Sequence, residues 1–151
     1  MPVRRLVIIG CMIVFFFACT KEYTNPIPSY RVLIEADLTF RDRELTDYNT
    51  SKIFTSKNTV HGKEYTGYGG VLVTHTIFGE YKAFDLACPH EVRRDAVVEI
   101  DEEYNAVCKV CGSKYEVSLV YGSGACIAGP SKYPLRPYHT EIRGNILIVR
   151  N

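Results

Sequence analysis

Residues 88–115 constrain this chain more than any other stretch. They open with Cys88-Pro89-His90 and close with Cys108-Lys109-Val110-Cys111-Gly112-Ser113-Lys114-Tyr115. Seventeen residues separate His90 from Cys108. Three thiols and an imidazole therefore fall on two tight loops. Thiolate and imidazole are the ligands that soft and borderline metals prefer, zinc and iron–sulfur clusters above all.

Paired loops of this kind resemble the Rieske [2Fe-2S] domain. That family reads Cys-x-His, a gap, then Cys-x-x-His followed by Gly-Ser-x-Tyr. Cys88 and His90 match the first loop, and Cys108 matches the first ligand of the second. Gly112, Ser113 and Tyr115 match the residues that follow. Cys111 stands where the family has its second histidine. The resemblance implies a cluster in which Cys88 and Cys108 hold one iron while His90 and Cys111 hold the other. It implies that the hydroxyls of Ser113 and Tyr115 donate to cluster or ligand sulfur, which favours the reduced form. Gly129-Pro130 matches a Gly-Pro loop that covers the third side of the cluster, and Pro134-Leu135 and Tyr138 match the residues after it. Ala83-Phe84-Asp85-Leu86-Ala87 resembles the strand that leads into the first ligand loop. A thiolate in place of an imidazole adds one negative charge to the ligand set. The expected potential then falls between the Rieske range of roughly −150 to +300 mV and plant-type centres near roughly −400 mV.

Taken without the resemblance, the residues leave other readings open. Three cysteines and a histidine also make a tetrahedral structural zinc site, and Cys108-x-x-Cys111 is half of a common zinc knuckle. The site could instead be metal-free, with Cys108 and Cys111 oxidised outside the cytosol. A thioredoxin-like dithiol would need a strand-to-helix pattern around the pair, and none is present. It is the resemblance, through the Cys-Pro-His opening, the Gly-Ser-x-Tyr flank and the Gly-Pro loop, that favours iron–sulfur. Cys126 reads as a small packed side chain, with replacement of a ligand as the alternative.

At the N-terminus, Arg4 and Arg5 precede an apolar run over residues 6–18. Thirteen residues fall short of the ~20 needed to span a bilayer. A basic segment followed by a short apolar one fits a secretory signal. Phe16-Phe17-Ala18-Cys19 resembles a bacterial lipobox, which implies cleavage before Cys19 and a lipid on that cysteine. On this reading residues 1–18 are the signal peptide, and the mature protein is an exported lipoprotein facing the periplasm or the cell surface. Residues 19–30, polar and carrying Pro26 and Pro28, read as a flexible tether. Cys11 also belongs to the targeting segment.

The remaining residues, 31–151, suffice for one domain with a core. Lys and Arg total 18 against 17 for Asp and Glu, with no basic stripe, so nothing points to nucleic acid. Eleven Tyr, seven Phe and no Trp suit a β-rich chain. Residues 32–40 alternate, with Val32, Ile34, Ala36 and Leu38 on one face, as in a half-buried strand. Residues 41–48 are undecided between a turn of helix and a loop. Further strands are expected over 52–60, 71–78 and 81–86, the last two as a hairpin around Gly79-Glu80. A small hairpin is expected from 96–100 and 104–108, then a strand over 116–120. Residues 62–70 and 122–130 read as glycine-rich loops. A closing hairpin is expected over 138–143 and 146–150 around Gly144-Asn145. His61, His75 and His139 read as surface or strand polar residues, with His75 expected to alternate out of the Val71/Val73 face. No sustained helical period occurs, so the expectation is an all-β fold: a small antiparallel barrel or sandwich with a cluster-binding subdomain over about 86–130. No Ser-His-Asp set, phosphate loop or carboxylate pair stands out. The function expected is one-electron transfer to an unseen partner protein, rather than stand-alone catalysis. The alternative is a non-redox β domain with zinc or no metal.

Overall fold

The computed structural model describes residues 24–55, 65–117 and 122–151. The expected signal peptide, Cys11, Cys19, His61 and the outer parts of the strands expected over 52–60 and 116–120 lie outside these residues. The chain is all-β. Eleven strands are described: β1 (Val32–Asp37), β2 (Thr50–Phe54), β3 (Tyr65–Thr66), β4 (Val71–His75), β5 (Tyr81–Asp85), β6 (Val98–Ile100), β7 (Asn105–Cys108), β8 (Lys114–Glu116), β9 (Cys126–Ala128), β10 (Pro137–Arg143) and β11 (Ile146–Arg150). Seven of them form a nearly closed antiparallel sheet in the order β2-β4-β5-β10-β11-β1-β3. The other four form a smaller sheet in sequence order, β6-β7-β8-β9.

The alternation in β1 is real: Val32, Ile34 and Ala36 are buried, and Glu35 is exposed. The strand stops at Asp37 because its carboxylate accepts from the amides of Thr39 and Phe40, an Asx-type turn. Residues 41–48 resolve as a single 3₁₀ turn, Arg43–Thr46, that buries Leu45. It is pinned by the buried Asp42, whose carboxylate accepts from the amide of Asp37 and from Arg41 and pairs with Lys52 at 2.9 Å.

Strands β4 and β5 pair in register from Val71↔Asp85 to His75↔Tyr81, as the hairpin pattern predicts. Every residue of β4 is buried, because the hairpin has a core on each face. Val71, Val73 and Ala83 face the barrel core with Ile34, Leu45, Leu147 and Val149. Leu72 and Phe84 face the other way and pack with Leu86, Val98, Tyr115, Val117 and Leu135 beneath the small sheet. The buried Thr74 hydroxyl donates to the Val117 carbonyl at 2.8 Å and stitches the two units together.

Three expectations need correction. His75 is a strand residue, as one of its two readings has it, but it points inward rather than away from the Val71/Val73 face: it is 6% exposed, stacked on Tyr81 at 4.2 Å with Nδ1 3.1 Å from the Asp47 carbonyl. It shares the parity of Val71 and Val73, so its ring is drawn in with them. The glycine-rich stretches 62–70 and 122–130 contain β3 and β9, and β8 begins at Lys114, inside what reads as a ligand-loop flank. The tether is docked in its described part. Ile27 is 1% exposed, Arg136 Nη1 donates to its carbonyl at 2.8 Å, and Asn25 Nδ2 donates to the Pro134 carbonyl at 2.9 Å. A polar average conceals one apolar side chain that finds a socket between two prolines.

Candidate metal centre

The first loop leaves the end of β5, and Asp85 prepares it. This carboxylate is fully buried. It accepts from the amides of Tyr68 at 2.8 Å, Gly69 at 3.0 Å and Ala87 at 2.8 Å, and from the Tyr138 hydroxyl at 2.6 Å. Burial, with the adjacent carboxylate second, holds the Tyr138 phenol well above its ordinary pKa. The strand exit, the 67–70 loop and the head of β10 are thereby tied to one point. Three residues later the Cys88 amide donates to the Ala96 carbonyl, and the Val92 amide closes a turn onto the Cys88 carbonyl, both at 2.9 Å. Val92 sits at φ +53°, a region that β-branched residues seldom occupy. The Tyr68 hydroxyl donates to its carbonyl at 3.2 Å and helps hold it there.

The second loop turns between β7 and β8. Cys108 donates its amide to the Ser113 carbonyl, and Gly112, at φ +73°, donates to the Cys108 carbonyl. Strand pairing then sets Tyr115 opposite Ala106 and drives its ring into the core. The loop expected to act as a cover is the third piece. A Cβ on Gly129 would lie 2.5 Å from the Cα of Ser113, and the residue sits at φ +93°. Only glycine lets the loop lie this close to the second ligand loop. Gly129-Pro130 thus rests on that loop, its outer side exposed. The return of the chain into β9 is fixed by the Glu116 carboxylate, which accepts from the amides of Gly122 and Ser123 and from the Ser123 hydroxyl.

These elements bring three of the four expected ligands together. The sulfurs of Cys88, Cys108 and Cys111 all lie within 4.8 Å of one another, with Cys88 and Cys111 3.6 Å apart. Cys88 and Cys108 are buried, and Cys111 is half-buried at the rim. His90 is exposed at the outer edge of the first loop, and its ring nitrogens lie outside this group. Cys126 is half-buried against the same core, with its thiol donating to the Ala128 carbonyl at 3.2 Å. It also lies outside the group of three.

Polar groups converge on the sulfurs. The Tyr115 hydroxyl is 3.3 Å from Cys88 Sγ, in position to donate to it. Ser113 Oγ is 3.1 Å from Cys111 Sγ: it accepts from the thiol and donates once that thiol is ionised. The Ser131 amide donates to Ser113 Oγ at 3.0 Å and orients it. Burial pushes the Cys108 thiol up to about 11, against backbone amides of Cys111 and Val110 that favour its thiolate. At Cys111 burial opposes ionisation too, but the hydrogen bonds from Ser113, Cys88 and Cys108 together outweigh it and lower the pKa. Burial raises the Tyr115 phenol far above its normal range, so it remains a donor. A cation relieves the electrostatic cost of thiolates crowded in a dry pocket, and the three together can hold a metal.

The role of Asp85 was hidden in the sequence, where it reads as one polar residue in a strand. Its signal is positional: a carboxylate at a strand end, flanked by Leu86 and Ala87 and facing a glycine-rich loop. Among the described residues no helix is long and apolar enough to cross a membrane. No protein-family model matches the chain, and no curated protein matches it.

Proposed function

We propose that this protein is a lipid-anchored, Rieske-type [2Fe-2S] electron carrier, exported and fixed to a membrane through Cys19, that passes single electrons to a partner protein. The ligands on this reading are Cys88, Cys108 and Cys111, with His90 completing the set from the outer edge. When bound, the cluster supplies a one-electron couple. The observation that carries the reading is the pair of hydroxyls aimed at ligand sulfur, Tyr115 at Cys88 and Ser113 at Cys111. Donors to sulfur offset negative charge, which is how a protein sets the potential of such a centre. Burial of Cys88, Cys108, Ser113 and Tyr115 keeps water from these bonds. His90 and Cys111 lie toward solvent, on the side from which an electron would enter or leave.

A second reading has an observation of its own. Tetrahedral thiolate ligation at about 2.3 Å places sulfurs about 3.8 Å apart. The 3.6 Å between Cys88 and Cys111 suits two ligands of one ion better than ligands of two different irons. A structural zinc would give that spacing. The protein prepared without oxygen decides between them. Iron and acid-labile sulfide in equal amounts, a visible charge-transfer spectrum and a paramagnetic signal on reduction are expected. Stoichiometric zinc in a colourless, redox-silent protein would overturn the electron-transfer reading in favour of the second.

A further inference from the structure

The docked strap fixes which end of the molecule a membrane anchor can hold. Residues 25–30 lie against the domain by contacts at both of their ends. Asn25 bonds Pro134 through its side-chain amide and accepts from the Ile27 amide at 3.0 Å. Ile27 fills its socket, and the Tyr30 ring sits under the Arg94 guanidinium at 4.4 Å and against Tyr68 at 5.4 Å. Arg94 follows the first ligand loop. Pro134 follows the cover loop, whose Ser131 bonds Ser113 beside Cys111. The chain therefore leaves the domain at Asn25, beside the elements that build the metal centre.

The opposite end of the barrel carries the turns at 76–80 and 144–145 and the exposed Phe40 and Phe78. The β4–β5 hairpin separates the two ends. From Asp85 back to Gly79 is six residues, about 20 Å at the rise of a strand. Only five residues lie between Cys19 and Asn25. Six Cα steps reach at most about 20 Å. To seat the far end on lipid, this link would have to run the whole barrel length fully extended. To seat the near end it needs only a fraction of that reach.

We propose that the metal-centre end of the domain faces the lipid surface that holds Cys19, with the exposed side chains of Val110 (57%) and Ile127 (54%) directed at it. The exposed aromatics at the far end show that apolar exposure alone does not choose the face; the short link does. The inference rests on lipid anchoring at Cys19 and not on which metal is bound.

The absence of tryptophan makes the test direct. Ile127→Trp and Phe78→Trp each place one reporter, at the near and far ends, and Val110→Trp is a second near-end reporter. Full-length lipidated protein is reconstituted in phosphatidylcholine vesicles doped with a headgroup-nitroxide lipid. Emission from Ile127→Trp and Val110→Trp is expected to be quenched at least twofold more than that from Phe78→Trp. Equal quenching, or stronger quenching of Phe78→Trp, in protein that floats with the vesicles overturns the orientation and leaves the anchor standing. Protein that does not float, with no acyl mass on the Cys19 peptide, overturns the anchor and the orientation together.

Discussion

At the scale of single residues, Cys111 decides what kind of centre this is. It takes the place of an imidazole in the resemblance, and its sulfur turns inward to 3.6 Å from Cys88. The adjacent Gly112 has open space where a Cβ would project, so the rim of the loop is not crowded. On the electron-transfer reading, Cys111→His removes one thiolate charge from the ligand set and makes reduction easier. The potential is expected to rise toward the range of roughly −150 to +300 mV and to depend more on pH, since an added ring can lose a proton. Voltammetry of the two proteins checks this. An intact cluster whose potential is unchanged or lower would show that Cys111 does not bind iron. The four candidate ligands were legible in the sequence because their spacing is local and their chemistry narrow. That three converge while His90 stays at the edge was not legible, because side-chain direction depends on the turn at Val92 and on the packing of Tyr115.

At the scale of elements, the exit of β5 governs the site more than any loop residue does. Asp85 is a buried carboxylate whose two oxygens accept from four donors. An asparagine there keeps one acceptor oxygen and turns an NH₂ group toward donors. The Tyr138 hydroxyl can rotate to accept from it, but the Tyr68 amide cannot. Asp85→Asn is therefore expected to cost about 3 kcal/mol, one unsatisfied buried donor plus the loss of charge-assisted bonds. Tyr138→Phe removes a single donor and is expected to cost about 1 kcal/mol. Chemical denaturation of the metal-free protein measures both. Equal losses would show that Asp85 does not organise the junction. The same scale explains what could be read and what could not. The β4–β5 and β10–β11 hairpins declared themselves by β-branched runs around Gly79 and Gly144-Asn145. Strand β9 did not, because three residues between glycines are too few to show a period, and only pairing with β8 extends them. The strap escaped notice for a similar reason: one buried isoleucine cannot outweigh a polar window.

At the scale of the whole molecule, two cores share one hairpin. Val71 and Val73 belong to the barrel, while Leu72, between them, belongs to the small sheet. Strand alternation thus couples the units residue by residue, and Thr74 adds a buried bond across them. A small sheet resting on a continuous face could detach alone, but here detachment strips Leu72 and Phe84 of their cover and leaves Thr74 without its acceptor. Neither unit can lose its packing without exposing the back of the other, so the domain is expected to unfold as one cooperative unit even without metal. Hydrogen exchange provides the measurement. Amides paired deep in the small sheet, such as those of Ala106 and Tyr115, should open with the same free energy as those of Ile34 and Val149 in the barrel. Leu72→Ala, a cavity at the shared strand, should lower both sets together by about 2–4 kcal/mol. Metal that binds only the folded state should raise both sets together as well, by an amount that grows with the logarithm of its concentration. If Leu72→Ala or metal removal strips protection from the small sheet while the barrel amides keep theirs, the two cores are independent. The metal centre would then be a separately folding lobe on a barrel that does not need it.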